Sequence, residues 1–296
     1  LMDDPEGGSL TDIVRLFTDD DYQRLKVGKV KNPIVKSFWV HQMAKTGARE
    51  KQEMIPYFAA KFGAFVTNAM MRNIIGQTKS AFDFFKVMQE GKILLMNLAK
   101  GETGEINSRL LGLIIVSKLQ MAALQRQKVE KKDRRDFFLY IDEFQNYVTE
   151  SIEVILSEAR KYRLGLNIAH QYLAQLEGND AKKGSKKVSL KDAVFGNVGS
   201  IMCYKIGAQD AEYMGKEMAP VFTDQDLINL DKFKACIKLS IDGQPSRPFS
   251  ITPVNPYTEE GDRNLAEALK QLSRLKYGRP KEYVGREIIR RIGADV

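Results

Sequence analysis

Residues 137–146 read FFLYIDEFQN: five apolar or aromatic residues in a row, closed by Asp142 and Glu143. A run that is apolar throughout offers no side to water, so it predicts a strand covered on both faces, as in parallel sheets. Ligands of open α/β sheets bind at the carboxyl ends of such strands, and two carboxylates there suit a magnesium-bound nucleotide. Asp142 would hold Mg²⁺ through its water shell, and Glu143 would orient or deprotonate an attacking water. An apolar run followed by Asp-Glu also ends strands that bind nothing.

The next segment extends this reading. Ile152, Ile155, Leu156 and Ala159 recur at helical spacing over about residues 151–163, and LGLNIAH follows at 164–170, ending at Gln171. That distance is about the ~30 residues of a βαβ unit. If the two strands are parallel neighbours, Asp142 and Gln171 share one carboxyl edge. A glutamine amide both donates and accepts, so Gln171 could sense a γ-phosphate or position water, or it could simply cap a strand. Arg160 sits near the end of the intervening helix, which runs back toward the amino edge. It should be remote from the nucleotide of its own subunit and reach phosphate only across a subunit interface, as an arginine finger does. With Lys161 and Arg163 nearby, the other reading is that these cations favour the negative end of the helix dipole.

Outward from this unit, further short apolar runs stand at Ile93–Met96, Ser200–Ile206 and Ala235–Ile241, and a periodic helix fills about Asn107–Arg126. Strands separated by helices predict an α/β core with a mainly parallel sheet. Before residue 90 the pattern is helical, with Tyr57–Ile75 carrying apolar residues at spacings of three and four. The chain therefore reads as a helical region at 1–90, an α/β core at 91–256 and a basic helical tail at 257–296.

Composition narrows the classes. In 296 residues, 43% are hydrophobic, and 46 Lys+Arg against 38 Asp+Glu give a net charge of +8, which excludes a wholly disordered or collagen-like chain. No apolar run approaches the ~20 residues of a membrane helix. The first eight residues lack a secretory pattern. Leu1 suggests a fragment. Cys203, Cys236, His41 and His170 do not cluster, so no Cys/His metal site is expected, and the thiols read as buried and reduced. The positive charge gathers in three segments, 126–135, 182–191 and 270–296, as a candidate DNA-facing surface or simply solvated faces. A phosphate-binding loop needs G-x-x-x-x-G-K-[ST], and neither Gly-Lys-Ser nor Gly-Lys-Thr occurs. Gly76–Ser80 is rejected as a substitute because it follows a helix, and Gly101–Gly104 reads as a tight turn.

Five ordered blocks carry a resemblance: GKILLMNLAKGETGEINSRLLG, FFLYIDEFQN, LSEARKYRLGLNIAHQYLAQL, FGNVGSIMCYKIGAQDAEYM and PSRPFS. Together they resemble the conjugative coupling ATPases of type IV secretion systems, within the FtsK/HerA class of P-loop translocases. The likeness spans about residues 10–256. It implies a RecA-like core that assembles into a ring, usually a hexamer, and moves DNA using ATP and Mg²⁺, with secretion-system or relaxosome proteins as partners. Residue by residue, Asp142 and Glu143 match the Walker B acids, Arg160 the arginine finger and Gln171 the sensor glutamine. The Walker A loop and any membrane helices of the family lie upstream of the matching region. The resemblance thus implies the carboxyl portion of a protein at the cytoplasmic face of the cell membrane. The alternative is a non-enzymatic DNA- or partner-binding module on a degenerate RecA-like scaffold.

Overall fold

A computed structural model describes residues 1, 3–147, 152–177, 190–255, 258 and 260–293. By contacts the chain divides into two compact units: one comprises Leu1–Asp83, Met96–Leu111 and Asn264–Val296, the other Phe84–Leu95 and Gly112–Arg263. The tail thus shares a unit with the amino-terminal helices, although chain order alone would separate them.

The first unit is helical, as the periodicity before residue 90 predicts. Asp19 caps the helix Asp20–Gly28 by accepting the Tyr22 amide at 2.9 Å, and Asn68 caps Ala69–Ile75 by accepting the Met71 amide at 3.0 Å. The Asn68 cap ends the long helix Ala48–Thr67 and starts the next one, so the Tyr57–Ile75 pattern is two helices rather than one. The tail helix Lys281–Ile292 buries Val284 and Ile288. Its Arg291 donates to the Asp12 carboxylate at 2.8 Å, and Arg15 donates to the Arg291 carbonyl at 2.6 Å. Asp4 is also buried here, between the ammonium groups of Lys26 and Lys29. Burial alone would raise its pKa, but hydrogen bonds from Lys26, the Glu6 amide and Lys29 hold it down at about 2.

The second unit holds the strands. β1 (Phe137–Ile141) and β2 (Leu164–Ile168) pair in parallel, in register from Phe137 opposite Leu164 to Ile141 opposite Ile168. Their connection is the helix Ile152–Glu158 and a 3₁₀ turn, Ala159–Tyr162. β3 (Ile201–Cys203), β4 (Ala235–Lys238) and β7 (Phe249–Ile251) form an antiparallel sheet in the order β3-β4-β7. β5 (Ser240–Ile241) and β6 (Gln244–Pro245) make a hairpin whose turn residues, Asp242 and Gly243, both have positive φ, as a two-residue type I′ loop requires.

Two expectations need correction. Among the described residues the sheet is not mainly parallel, because only β1 and β2 pair that way. A single helix returns the chain to the start of the next strand, as between β1 and β2. Between β3 and β4 stand two helices, Ala208–Met218 and Asp224–Ile228, and the second reversal leaves β4 antiparallel. Apolar runs report burial but not direction. Second, the run Ile93–Met96 forms no ladder. It keeps the period of a strand, with Leu94, Met96 and Leu98 half-buried, while Ile93 and Leu95 are each 88% exposed. Phe138 and Tyr140 on β1 are likewise exposed, so β1 is not covered on both faces by the described residues.

The core beside β3 and β4 comprises Leu173, Cys203, Met214, Met218, Leu227 and Cys236. Cys203 and Cys236 face each other across the ladder as free, buried thiols, and burial pushes Cys203 up to about 11. Among the described residues no group of His, Cys, Asp or Glu is arranged to hold a metal, and no helix is long and apolar enough to cross a membrane.

Candidate active site

The parallel ladder does not stop where the strands end. The Ala169 amide donates to the Ile141 carbonyl and the Phe144 amide to the Ala169 carbonyl, each at 3.0 Å. These bonds hold the turn after β1 against the residues after β2, so the chain geometry brings Asp142, Glu143 and Gln171 to one edge. The turn is pinned from below: Phe144 is fully buried and Tyr147 nearly so. Tyr147 lies over Gly112 of the helix Glu105–Gln125, where a Cβ would stand 2.2 Å from the ring. That glycine is set by packing, not by backbone freedom.

Glu143 is the centre of the arrangement. Its φ is +48°, a left-handed conformation that non-glycine residues seldom adopt and that costs about 1 kcal/mol or more. The strain turns its carboxylate into two glutamine amides: Gln145 Nε2 donates to Oε2 at 2.7 Å, and Gln171 Nε2 donates to Oε1. Gln171 is itself fixed by Gln175, whose Oε1 accepts the amides of Gln171 and Tyr172, both at 3.1 Å. Asp142 is exposed and accepts the Glu143 amide at 3.0 Å. The edge therefore presents one carboxylate aimed by amides and a second open to solvent. An amide that donates to a carboxylate oxygen leaves that oxygen further lone-pair capacity with which to orient water.

Gln145 and Gln175 escape a reading of the sequence. Both lie in short 3₁₀ turns, Phe144–Tyr147 and Leu173–Leu176, and nothing in their spacing marks them. Only the convergence of the two turns shows that they hold Glu143 and Gln171. Gln145 Oε1, on the same amide as the Nε2 that holds Glu143, is buried without a hydrogen-bond partner.

Arg160 is not brought to this edge. It is exposed on the 3₁₀ turn that precedes β2, at the amino end of the strand, whereas Gln171 follows its carboxyl end. The amino edge is built around another arginine. Arg126 is fully buried, and its guanidinium donates to Gln89 Oε1 at 2.9 Å, to the Arg163 carbonyl at 3.3 Å and to the Arg135 carbonyl. Burial, with the neighbouring Arg134 charge, lowers its pKa. Arg134 donates to the carbonyls of Val129 and Lys161, and Arg135 to that of Glu90. Within the basic run 126–135 the three arginines are occupied with internal bonds, while Lys128, Lys131 and Lys132 are exposed. Of the run 182–191, residues 182–189 lie outside the described residues.

Acids at the carboxyl edge of a parallel strand pair, with a glutamine from the neighbouring strand, have the layout of a Walker B element in an α/β core. The chain belongs to the type IV secretory system conjugative DNA transfer family, whose sequence model matches residues 34–220. No curated protein matches it. Among solved structures it is similar to a bacterial conjugative coupling protein, TrwBdeltaN70, in an unbound monoclinic form. The TM-score is 0.51 at 14% identity, over 77% of this chain and 55% of that one. At that identity the likeness establishes fold, and the chain spans about half of the solved relative.

Asp142 and Glu143 fit a hydrated magnesium ion in their chemistry. The sequence has no G-x-x-x-x-G-K-[ST].

Proposed function

We propose that this chain carries the Walker B and sensor half of an ATP-driven coupling protein that moves DNA in conjugative transfer. The observation that carries the reading is the amide clamp on Glu143: two glutamines, one from each strand end, hold a strained carboxylate at the edge where nucleotides bind. Magnesium, when bound, would draw charge from a phosphoryl group, and Asp142 would hold it through water. Glu143 orients the attacking water and accepts its proton. Gln171 keeps Glu143 aimed and stands ready to exchange that bond for one to water or phosphate. Arg160, exposed at the opposite edge, acts on the site of a neighbouring subunit in a ring, hexameric in this reading. DNA, ATP and secretion-system proteins are the partners it requires.

The test is DNA transfer between cells whose coupling protein carries Glu143→Gln. Loss of a positioned base costs about 10²–10⁴-fold, so transfer should fall at least about 100-fold with the protein level unchanged. Transfer at the normal rate would remove Glu143 from the motor. The 296-residue polypeptide alone should not hydrolyse ATP, since it has no phosphate-binding loop; robust turnover would refute that. The missing motif also favours a second reading, a module that binds DNA or a secretion partner without catalysis. It predicts salt-sensitive DNA retention that ATP does not alter.

A further inference from the structure

Phe233 occupies a backbone position suited to glycine. The Lys234 amide donates to the Asp231 carbonyl at 3.2 Å and closes a turn over residues 231–234. Phe233, third in that turn, has a φ of +59°, the conformation that glycine or asparagine ordinarily supplies in a type II turn. A bulky side chain there is an outlier that calls for a reason. Core packing does not supply one. Phe233 is 39% exposed, and the residues packed against the core beside β3 and β4 include Leu230 and Ile206 but neither Phe233 nor Tyr204.

The antiparallel register decides what stands beside this turn. Cys203 lies opposite Cys236, and Ala235 opposite Ile251, so the carboxyl ends of β3 and β7 meet the amino end of β4. That end of the sheet carries Tyr204 and Lys205 after β3, Lys232, Phe233 and Lys234 before β4, and Thr252 after β7. Tyr204 is 51% exposed, and all three lysines are exposed. Lys232 Nζ lies 5.1 Å from the centroid of the Phe233 ring, and Lys234 donates to Thr252 Oγ1 at 2.7 Å. Among the described residues none of the three lysines is in an ion pair. Asp231 is the one acid in the two segments.

Three unpaired cations attract any polyanion, so charge alone does not choose among them. The aromatic rings do. An acidic polypeptide offers carboxylates but no row of flat rings, and a duplex keeps its bases stacked on one another. An unpaired strand can lay its bases on tyrosine and phenylalanine while its phosphates run along the lysines.

We infer that this end of the β3-β4-β7 sheet grips single-stranded DNA, with Phe233 and Tyr204 as stacking platforms and Lys205, Lys232 and Lys234 on the phosphates. The choice of DNA rests on the reading of the chain as part of a DNA-moving protein; the grip itself is tested without nucleotide. The test is fluorescence anisotropy of a labelled oligothymidylate with the 296-residue chain at about 0.15 M salt. Phe233→Leu keeps an apolar side chain but removes the flat face, and it should weaken binding about 5-fold or more, as should Tyr204→Leu. Phe233→Trp should hold or exceed the original affinity. Lys205→Gln with Lys232→Gln should flatten the slope of log affinity against log salt by about 1.4, at about 0.7 for each phosphate contact on a single strand. These side chains are exposed, so melting should move little. If a Phe233 variant does not fold, Tyr204→Leu and the lysine pair carry the test. An adenine–thymine duplex should bind more weakly, and Phe233→Leu should leave that binding unchanged. Equal affinity for single strand and duplex would overturn the proposal, as would single-strand binding that neither aromatic variant weakens. Displacement of the oligonucleotide by polyglutamate at equal charge would overturn it too, and leave the lysines as a general attraction for polyanions. Failure of this binding leaves the role of Glu143 standing, and normal transfer by Glu143→Gln would leave the binding standing.

Discussion

The two ends of the β1–β2 pair are made from the same ten residues of strand and have opposite characters. At the amino edge a buried arginine, Arg126, donates to three neutral acceptors and ties the segments entering both strands to Gln89. At the carboxyl edge a partly exposed glutamate is held in a strained backbone conformation by two amides, beside an exposed aspartate. One end spends its polar groups on holding the strands in place. The other keeps charge near solvent, where it can act on something bound. Parallel pairing produces this division, because it sends both strands into loops at the same end and receives both from loops at the other.

The comparison can be broken by exchanging what each end is asked to do. Glu143→Gln should lower DNA transfer by about 10²–10⁴-fold while moving the melting temperature little. Arg126→Met should do the reverse in kind: it removes the three hydrogen bonds that tie Gln89 and the carbonyls of Arg135 and Arg163 together, at about 2–4 kcal/mol. Melting of the isolated chain should then fall by several degrees, and a melting curve that does not shift would show that the amino edge is not held by this residue. Gly112→Ala should cost about 1–3 kcal/mol by driving a methyl into Tyr147, measurable by urea unfolding. Glu143→Gly sharpens the contrast further. It should raise stability by about 0.5–1 kcal/mol by relieving the positive φ, even as transfer is lost. Stability gained as transfer is lost would show that the positive φ is kept for the carboxylate it carries.

A smaller effect concerns the helical unit. Asp4 has its pKa held below the unfolded value of 3.8, at about 2. Its contribution is therefore fully present above about pH 4 and is lost as pH falls through about 2. Asp4→Asn should remove about 2 kcal/mol near neutrality and flatten the acid limb of a stability–pH curve. An unchanged acid limb would place the acid sensitivity elsewhere in the chain.

The legibility of the site differs from residue to residue. Asp142, Glu143 and Gln171 could be placed on one edge from spacing, because a single helix between two apolar runs permits few arrangements. The remoteness of Arg160 followed from the same count. Gln145 and Gln175 could not be found, since their roles depend on two turns meeting, and neither turn carries a periodic signal. Arg126 could be read only as one cation of a basic run: its sequence neighbours do not reveal that Gln89 and the Arg163 carbonyl, each 37 residues away, will join the nearby Arg135 carbonyl around it.

Local pattern thus determined the helical first third, the β1–helix–β2 unit and the acids at its end, because burial periodicity and chain reach act over a few residues at a time. Tertiary structure alone decided that β3, β4 and β7 run antiparallel, that the tail packs among the amino-terminal helices and that one arginine lies inside while another lies out. Those outcomes depend on which surfaces meet. Strand direction and the burial of a charge are set by partners far along the chain, and no window of sequence contains both members of such a pair.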